Sequence, residues 1–351
     1  MARQEALTGC LVGGAVGDAL GLPLEGIPPQ RARKFRRSPL RHALVGRWGM
    51  VSDDTEHAAM TAAALAVTAG EPFLFTRRLA RSLRGWLASL PAGCGLATGR
   101  AILKLWLGFP PQRSGVWSAG NGPAMRAAVI GVAWGDQPQQ TLDLVRASSV
   151  LTHRDPKATV GAHAVALAAW QAAQGVCDPV ALGETLRADH GGVAEPLLEL
   201  IERAVASADA RQSTPEFCHA LCGKGGVTGF IDHTVAVAMH AWRAFPEDYR
   251  QAVEGAVACG GDTDTLAAVV GGIVGARVGV AGIPMGWCQG VRDWPRSLGY
   301  LTRLAAVLAS SRSLGQPVVP PRAVWLFCFV RNLVFLAIVL VHGFRRLLPP
   351  Y

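Results

Sequence analysis

Two acidic clusters more than two hundred residues apart carry the densest chemistry in this 351-residue chain: Ser52-Asp53-Asp54-Thr55 and Gly261-Asp262-Thr263-Asp264-Thr265. Each packs carboxylates and hydroxyls into four or five positions of a chain in which only 17% of residues are charged. Adjacent carboxylates repel one another and are costly to bury, so a cation is the expected neutraliser. Asp and Ser/Thr oxygens are hard ligands that suit Mg²⁺, Mn²⁺ or Ca²⁺ better than Zn²⁺. A single Asp-Asp pair is ordinarily a solvated cap or turn, because carboxylates favour helix N-termini with or without a metal. Two such clusters, each opening an apolar helical stretch, point to a shared centre if the fold joins them. Such a centre would hold two ions ~3.5–4 Å apart.

The elements that must position these clusters read as helices. Residues 5–21 form a small-residue helix. Residues 52–69 start with Ser52 as N-cap and run apolar and Ala-rich. Residues 75–90 and 100–107 show helical spacing, and 91–122 otherwise read as loop. Further helices are expected over 138–150, 156–174, 179–189 and 194–208, with Pro138, Pro156, Pro179 and Pro196 at or near their starts. Residues 230–244, 247–259 and 262–280 complete the set. The last is rich in Ala and Gly and must be held by close packing, since Gly lowers intrinsic helicity. Strand-forming alternation is scarce.

Beside the clusters stand three further stretches, in chain order. Residues 13–25 read GGAVGDALGLPLE, residues 118–126 read SAGNGPAMR, and residues 152–156 read THRDP. Together with SDDT and GDTDT they resemble the motifs of the ADP-ribosylglycohydrolase family, over residues 9–290. The resemblance implies an all-α fold, a compact single-domain helical bundle; it offers no equivalent of the hydrophobic C-terminal stretch, which reads from its own composition as an extra helix. It implies hydrolysis of the glycosidic bond of ADP-ribose attached to a protein side chain or a small ester, with two Mg²⁺ or Mn²⁺ as cofactors. Ser52, Asp53, Asp54, Asp262, Asp264 and Thr265 become the implied metal ligands. Glu25 and Asp54 become the implied catalytic residues, with Glu25 as general acid/base on a segment covering the metals. Ser118, Gly120, Asn121, Gly122 and His153 become the implied substrate-binding residues. The glycines would let backbone N–H groups approach the diphosphate, and His153 would contact phosphates or ribose. Arg126 reads as a support for the loop.

Some relatives carry Asp at the Ser118 position, and others carry Ser followed by an aromatic. Here Ala119 follows Ser118, which leaves the acceptor open and weakens the case for arginine linkage. Trp117 reads first as a packing residue and second as a stacking surface. The competing function is a non-catalytic ADP-ribose-binding or structural member of the same family. Two-metal phosphoester hydrolysis needs the same ions but no ribose-binding loop.

The net charge is +9, and only four of the 34 basic residues are Lys. Arg31, Arg33, Lys34, Arg36, Arg37, Arg41 and Arg47 form the densest basic run, read as a solvated loop or an attractor of diphosphate. No aromatic interleaving accompanies it, so nucleic acid is not an expected partner. Eight cysteines lack a paired metal spacing and read as free thiols of a reducing compartment. Asp18 and Glu5 interrupt any signal-peptide pattern, so a cytoplasmic location is expected.

The catalytic domain is expected over 1–310, a Ser/Gly/Pro-rich linker over 311–322, and a hydrophobic helix with a basic tail over 323–351. Seventeen of the nineteen residues in 323–341 are apolar. As a helix they would span ~28 Å at 1.5 Å per residue, near the thickness of a bilayer core. Arg331 and Asn332 interrupt the run. Two readings stand side by side: a membrane tether, or a helix packed on the domain or a partner subunit with Arg331 paired to a carboxylate.

Overall fold

The computed structural model describes residues 2–35 and 39–345. Arg36 and Arg37 of the basic run, and the tail residues 346–351 with Arg346, lie outside the described residues. Within them the chain forms eighteen α-helices, five short 3-10 turns and no strand. It is all-α, as expected, and only isolated β-bridges join its loops.

Two helices make the central axis, Arg3–Gly21 and Thr263–Val278. They run antiparallel with their backbones in contact. A Cβ on Gly17 would lie 2.1 Å from the carbonyl oxygen of Ala267, and one on Gly9 would lie 2.1 Å from that of Gly275. Only Gly permits that approach, which explains the Gly stripe on both helices. Nearly every residue of this pair is buried. The packing sets Asp18, near the end of one helix, beside Asp264, at the start of the other.

Helix Asp53–Thr68 packs across this axis, and Ser52 caps it by accepting from the Asp54 N–H at 3.3 Å. Its Glu56 does not serve the cap. The carboxylate turns inward to accept from Trp86 Nε1 at 2.7 Å and from Arg296. Helices Pro72–Ala88 and Leu96–Trp106 flank it. Helices Pro156–Ala173, Glu195–Asp209, Ile231–Ala244 and Tyr249–Ala258 close the other side.

The expected helices form with small shifts at their ends. Helix Leu298–Leu314 went unforeseen, although Leu301, Leu304, Ala305 and Leu308 are buried at helical spacing. It consumes the first four residues assigned to the linker. Ser311 is buried and donates to Ala66 O at 2.8 Å, so this last turn belongs to the packed core. The extended segment begins at Gly315 and is held to the domain by Val318 N–H donating to Ala66 O.

The C-terminal helix runs Trp325–Arg345 and lies against the domain. Arg331 and Asn332, which interrupt its apolar run, are its buried polar residues. Arg331 pairs with Asp293, and Asn332 donates to Ser89 O at 2.9 Å.

Candidate active site

Three helix ends converge on Asp18. Its carboxylate accepts from the Ser52 N–H at 2.9 and 3.0 Å, the Thr55 N–H at 3.2 Å and the Thr55 hydroxyl at 2.5 Å. Carboxylate oxygens of Asp18, Asp54 and Asp264 lie within 4.8 Å of one another, all buried. Asp54 Oδ2 accepts from Ser52 Oγ at 3.0 Å and from Thr265 Oγ1 at 3.2 Å. The two clusters therefore meet directly, Thr265 of the second bonding Asp54 of the first.

Buried carboxylates this close are unstable as anions without a cation. Burial, followed by the charges of Asp53, Asp18 and Asp262, pushes Asp54 well above the ordinary range. Burial, then Glu25 and Asp54, does the same to Asp264. Burial, then Asp18 and Glu25, raises Asp53. Asp18 is raised only to about 6, because the Thr55 and Ser52 donors oppose its burial. Asp54 Oδ1 and Asp264 Oδ1 are buried and accept no hydrogen bond from the protein. Orphaned carboxylate oxygens in a cluster of hard ligands are what a divalent cation would satisfy. The residues present fit such an ion.

Above this cluster opens a cleft of about 490 Å³, within the range of small-molecule sites. Glu25, Asp53, Asp262, Asp264, Thr265, Ser118, Gly120, Asn121, Gly122 and His153 all line it. Ser52 and Asp54 lie buried at the helix start beneath. Glu25 sits on a segment fixed to the second cluster, with Gly26 N–H donating to Gly261 O at 2.8 Å and Gly261 N–H to Ile27 O at 3.0 Å. Its charge contributes to the raised values of Asp53 and Asp264.

Within the GNG loop, two of the backbone amides bond inside the protein. Gly120 N–H donates to Ser118 Oγ at 3.2 Å, and Asn121 N–H donates to Gly229 O at 2.9 Å. These two amides are already engaged. The glycines make room for His153: a Cβ on Gly120 would lie 2.8 Å from His153 Nε2, and one on Gly122 2.8 Å from Cε1. Asn121 uses its side chain, with Nδ2 donating to Asp262 Oδ2 at 2.8 Å and to Thr234 Oγ1 at 3.1 Å. The loop is thereby tied to the second acidic cluster.

Arg126 organises the rest. Fully buried, it donates to Ser148 Oγ and O, Gly122 O, His57 Nδ1 and Thr152 Oγ1. Burial lowers it to about 9. Thr152 Oγ1 accepts from Arg126 at 2.7 Å and lies 2.9 Å from His153 Nδ1, to which we assign its hydroxyl proton. That assignment leaves the N–H on His153 Nε2, the atom facing the glycines. Burial, reinforced by Arg126, lowers His153 to about 3, so the ring is neutral at ordinary pH.

Asp18 is the cluster member that the sequence reading did not single out. Its signal was present in GDALG, as a lone carboxylate inside a helix of small apolar residues. Thr98 and the loop Gly225–Gly229 also line the cleft unannounced. Trp117 is 76% exposed, so it does not pack in the core, and it is not among the cleft's lining residues. Arg31, Arg33, Lys34, Arg41 and Arg47 of the basic run are exposed to solvent.

An all-helical scaffold thus joins two acidic clusters that could hold a metal ion beneath a small-molecule-sized cleft. Residues 1–316 match the family model described as ADP-ribosylglycohydrolase. The chain belongs to the ADP-ribosylglycohydrolase family. It is 31% identical over 298 residues to an uncharacterized protein of Archaeoglobus fulgidus, covering 83% of this chain and 92% of that one. It is 25% identical over 287 residues to the ADP-ribosyl-[dinitrogen reductase] glycohydrolase of Rhodospirillum rubrum, covering 80% of this chain and 87% of that enzyme. Among solved structures, an "ADP-ribosylglycohydrolase-related protein complex" superposes with a TM-score of 0.67 at 25% identity, covering 88% of this chain and 99% of that one. Membership supports a hydrolase acting on ADP-ribose linkages.

Proposed function

We propose that this protein hydrolyses the glycosidic bond joining ADP-ribose to a protein side chain or a small ester. The observation carrying this reading is the meeting of Asp54, Asp264 and Thr265 under a cleft that also receives Glu25, Asn121 and His153. Ser52, Asp53, Asp54, Asp262, Asp264 and Thr265 would hold two Mg²⁺ or Mn²⁺, with Asp18 positioning Ser52 and Thr55. Bound there, such ions would supply Lewis-acid charge able to orient ribose hydroxyls and activate water.

The chain's own residues supply the remainder. Asn121, fixed to Asp262, and the Ser118–Gly122 loop hold the ribose and adjoining diphosphate. His153, neutral with its Nε2–H facing the loop, donates a hydrogen bond there without adding charge. Glu25 stands at the edge of the cleft, where it takes the proton of the attacking water or returns one to the leaving group. Asp54 keeps the Ser52 and Thr265 hydroxyls in register beneath. The transition state resembles an oxocarbenium ion, so fixing the ribose ring is itself a large part of catalysis.

A purely structural role is disfavoured by the orphaned oxygens of Asp54 and Asp264, which suit an ion that a scaffold would not need. In this reading the enzyme works in the cytoplasm; helix Trp325–Arg345 packs on the domain through Arg331 and Asn332, and its exposed apolar face is left to tether the protein to a membrane. The test is a release assay on Arg-, Ser- and ester-linked ADP-ribose with added Mg²⁺ or Mn²⁺. Free ADP-ribose from at least one linkage is expected. AMP as product would mean diphosphate cleavage, and retained binding without product would mean a reader; either overturns the proposal.

A further inference from the structure

The C-terminal helix Trp325–Arg345 lies beyond the residues matched by the family model, and it has two unlike faces. One stripe, Cys328, Arg331, Asn332 and Phe335, is buried on the domain. The opposite face is apolar and exposed, with Leu326, Val330, Leu333, Leu340, Val341 and Phe344 at helical spacing. A continuous apolar face of this kind on a folded chain marks an interaction surface.

The charge around it is one-sided. From Trp294 to the last residue the chain carries seven arginines and no carboxylate. The neighbouring helix Pro72–Ala88 adds Arg77, Arg78, Arg81 and Arg84, again with no carboxylate. Beneath the N-terminal end of the C-terminal helix is a cavity of about 520 Å³. Arg78, Arg81 and Arg322 line it together with Trp86, Tyr300 and Trp325. Glu56, behind Trp86, is paired with Arg296 and does not neutralise these three arginines.

We propose that this face docks on an anionic phospholipid bilayer, with the helix lying flat in the headgroup plane and the Arg78–Arg81–Arg322 cavity receiving a lipid phosphate. The inference deepens the tether reading above, on which it rests. It commits to an in-plane helix and a headgroup site, whereas a tether alone requires neither. The flat placement follows from the middle of the helix. Arg331 and Asn332 are tied to Asp293, Val51 and Ser89, so a spanning helix would have to tear out a buried ion pair and carry Arg331 into hydrocarbon. The anionic surface follows from the charge. A second copy meeting this face symmetrically would set the cavity arginines Arg78, Arg81 and Arg322 against their own counterparts, whereas anionic lipid attracts them. Side chains of Trp325 and Arg345 stand at the two ends of the helix, suited to headgroup depth.

The full chain is mixed with phosphatidylcholine vesicles, with and without phosphatidylglycerol, and binding is read by cosedimentation. Strong binding to the anionic vesicles is expected. The triple variant Arg78→Ala, Arg81→Ala, Arg322→Ala should weaken it on the order of 10²-fold, at roughly five-fold per arginine, with hydrolysis unchanged. Leu333→Glu with Leu340→Glu should abolish binding to both vesicle types. Alkaline carbonate should release the bound protein. Equal binding to both vesicle types, unaffected by the triple variant, overturns the headgroup site and leaves the tether standing. Carbonate-resistant retention overturns the flat placement. Failure to bind any vesicle overturns inference and tether together. A dimer in light scattering that Leu333→Glu disperses assigns the face to a second copy and overturns the lipid reading.

Discussion

Arg331 of the C-terminal helix and Asp293 together hold the backbone N–H and C=O of Val51. Asp293 Oδ2 accepts from Val51 N–H at 2.9 Å, and Arg331 Nη2 donates to Val51 O at 2.5 Å. The two side chains complete the grip with a buried pair, Arg331 Nε to Asp293 Oδ1 at 3.0 Å and Nη2 to Oδ2 at 2.5 Å. The Arg331 guanidinium also stacks over Phe335, 4.3 Å from the ring centroid. The next residue is Ser52, the cap and proposed ligand of the first acidic cluster. A helix outside the residues matched to the family thus braces the loop that carries the family's SDDT motif.

Arg331→Ala should therefore destabilise the protein by ~3–5 kcal/mol, the usual cost of leaving a buried charge without its partner. Urea unfolding measures it. Adding Asp293→Asn in the same chain should recover part of the loss, since no uncompensated carboxylate is then buried. A loss below ~1 kcal/mol, the range of exposed pairs, would show that the pair is solvated and the brace unimportant.

Asp264→Asn tests the acidic cluster. Its Oδ1 is buried and accepts nothing from the protein, so the metal-free variant should be as stable as the parent or more so. Mg²⁺ or Mn²⁺ should raise the melting temperature of the parent, as any ligand selective for the native state does. The variant should lose that rise together with turnover. An undiminished metal-dependent rise in the variant sinks the assignment of Asp264.

The pH dependence of the metal-free protein follows from the same carboxylates. Burial and neighbouring charge hold Asp54 and Asp264 well above their unfolded value of ~3.9. The native state then binds more protons than the unfolded state. Their contribution to stability is full below the unfolded value and is lost as pH rises through the folded ones. Buried histidines such as His57 and His153 are lowered and act in the opposite sense, but only below ~6.5. With chelator present, stability should fall as pH rises above ~6.5, where the histidines no longer oppose the carboxylates. The increment from added metal should grow over the same range, because the ion requires ionised ligands. A chelated protein whose melting temperature is flat or rising across that window contradicts the raised carboxylates.

How much of this was legible depends on whether a residue's partners lie nearby in sequence. Ser52 as an N-cap is a local pattern, and it holds. SDDT, GDTDT, GNG and THRDP are contiguous strings, and all reach the same cluster and cleft. Asp18 is different. Its partners, Ser52 and Thr55, are supplied by another helix, so within its own helix it reads as an interruption of an apolar run. Arg331 was left between a bilayer and a carboxylate partner because Asp293 is distant in sequence. The packing of Gly120 and Gly122 against His153 went unread for the same reason. A glycine announces close approach, but only the fold says that the approaching group is the His153 ring. Helix Leu298–Leu314 had the right periodicity and was overlooked beside the Ser/Gly/Pro-rich segment that follows it.

Glu25→Gln should lower turnover by at least about 10²-fold, as expected for a positioned acid/base, while ADP-ribose affinity is kept. The amide is isosteric and leaves the Gly26–Gly261 and Ile27–Gly261 backbone bonds in place. Steady-state release of ADP-ribose and calorimetric binding of ADP-ribose separate the two effects. Unchanged turnover would remove Glu25 from the chemistry.

Gly120→Ala isolates the role of His153 without touching either acidic cluster. The added Cβ would fall 2.8 Å from His153 Nε2, closer than side chains approach in folded proteins. The ring must turn away, which strains its bond to Thr152 Oγ1 and takes the Nε2–H out of the cleft. Losing one such hydrogen bond costs about 0.5–1.5 kcal/mol, so KM should rise roughly two- to ten-fold. Metal affinity should not change, because the ring touches none of the carboxylates in the cluster. His153→Ala in the Gly120→Ala background should add little further, since both changes remove the same donor. Full additivity of the two substitutions would show that Gly120 acts on the ligand directly, and His153 would lose its proposed place in substrate binding.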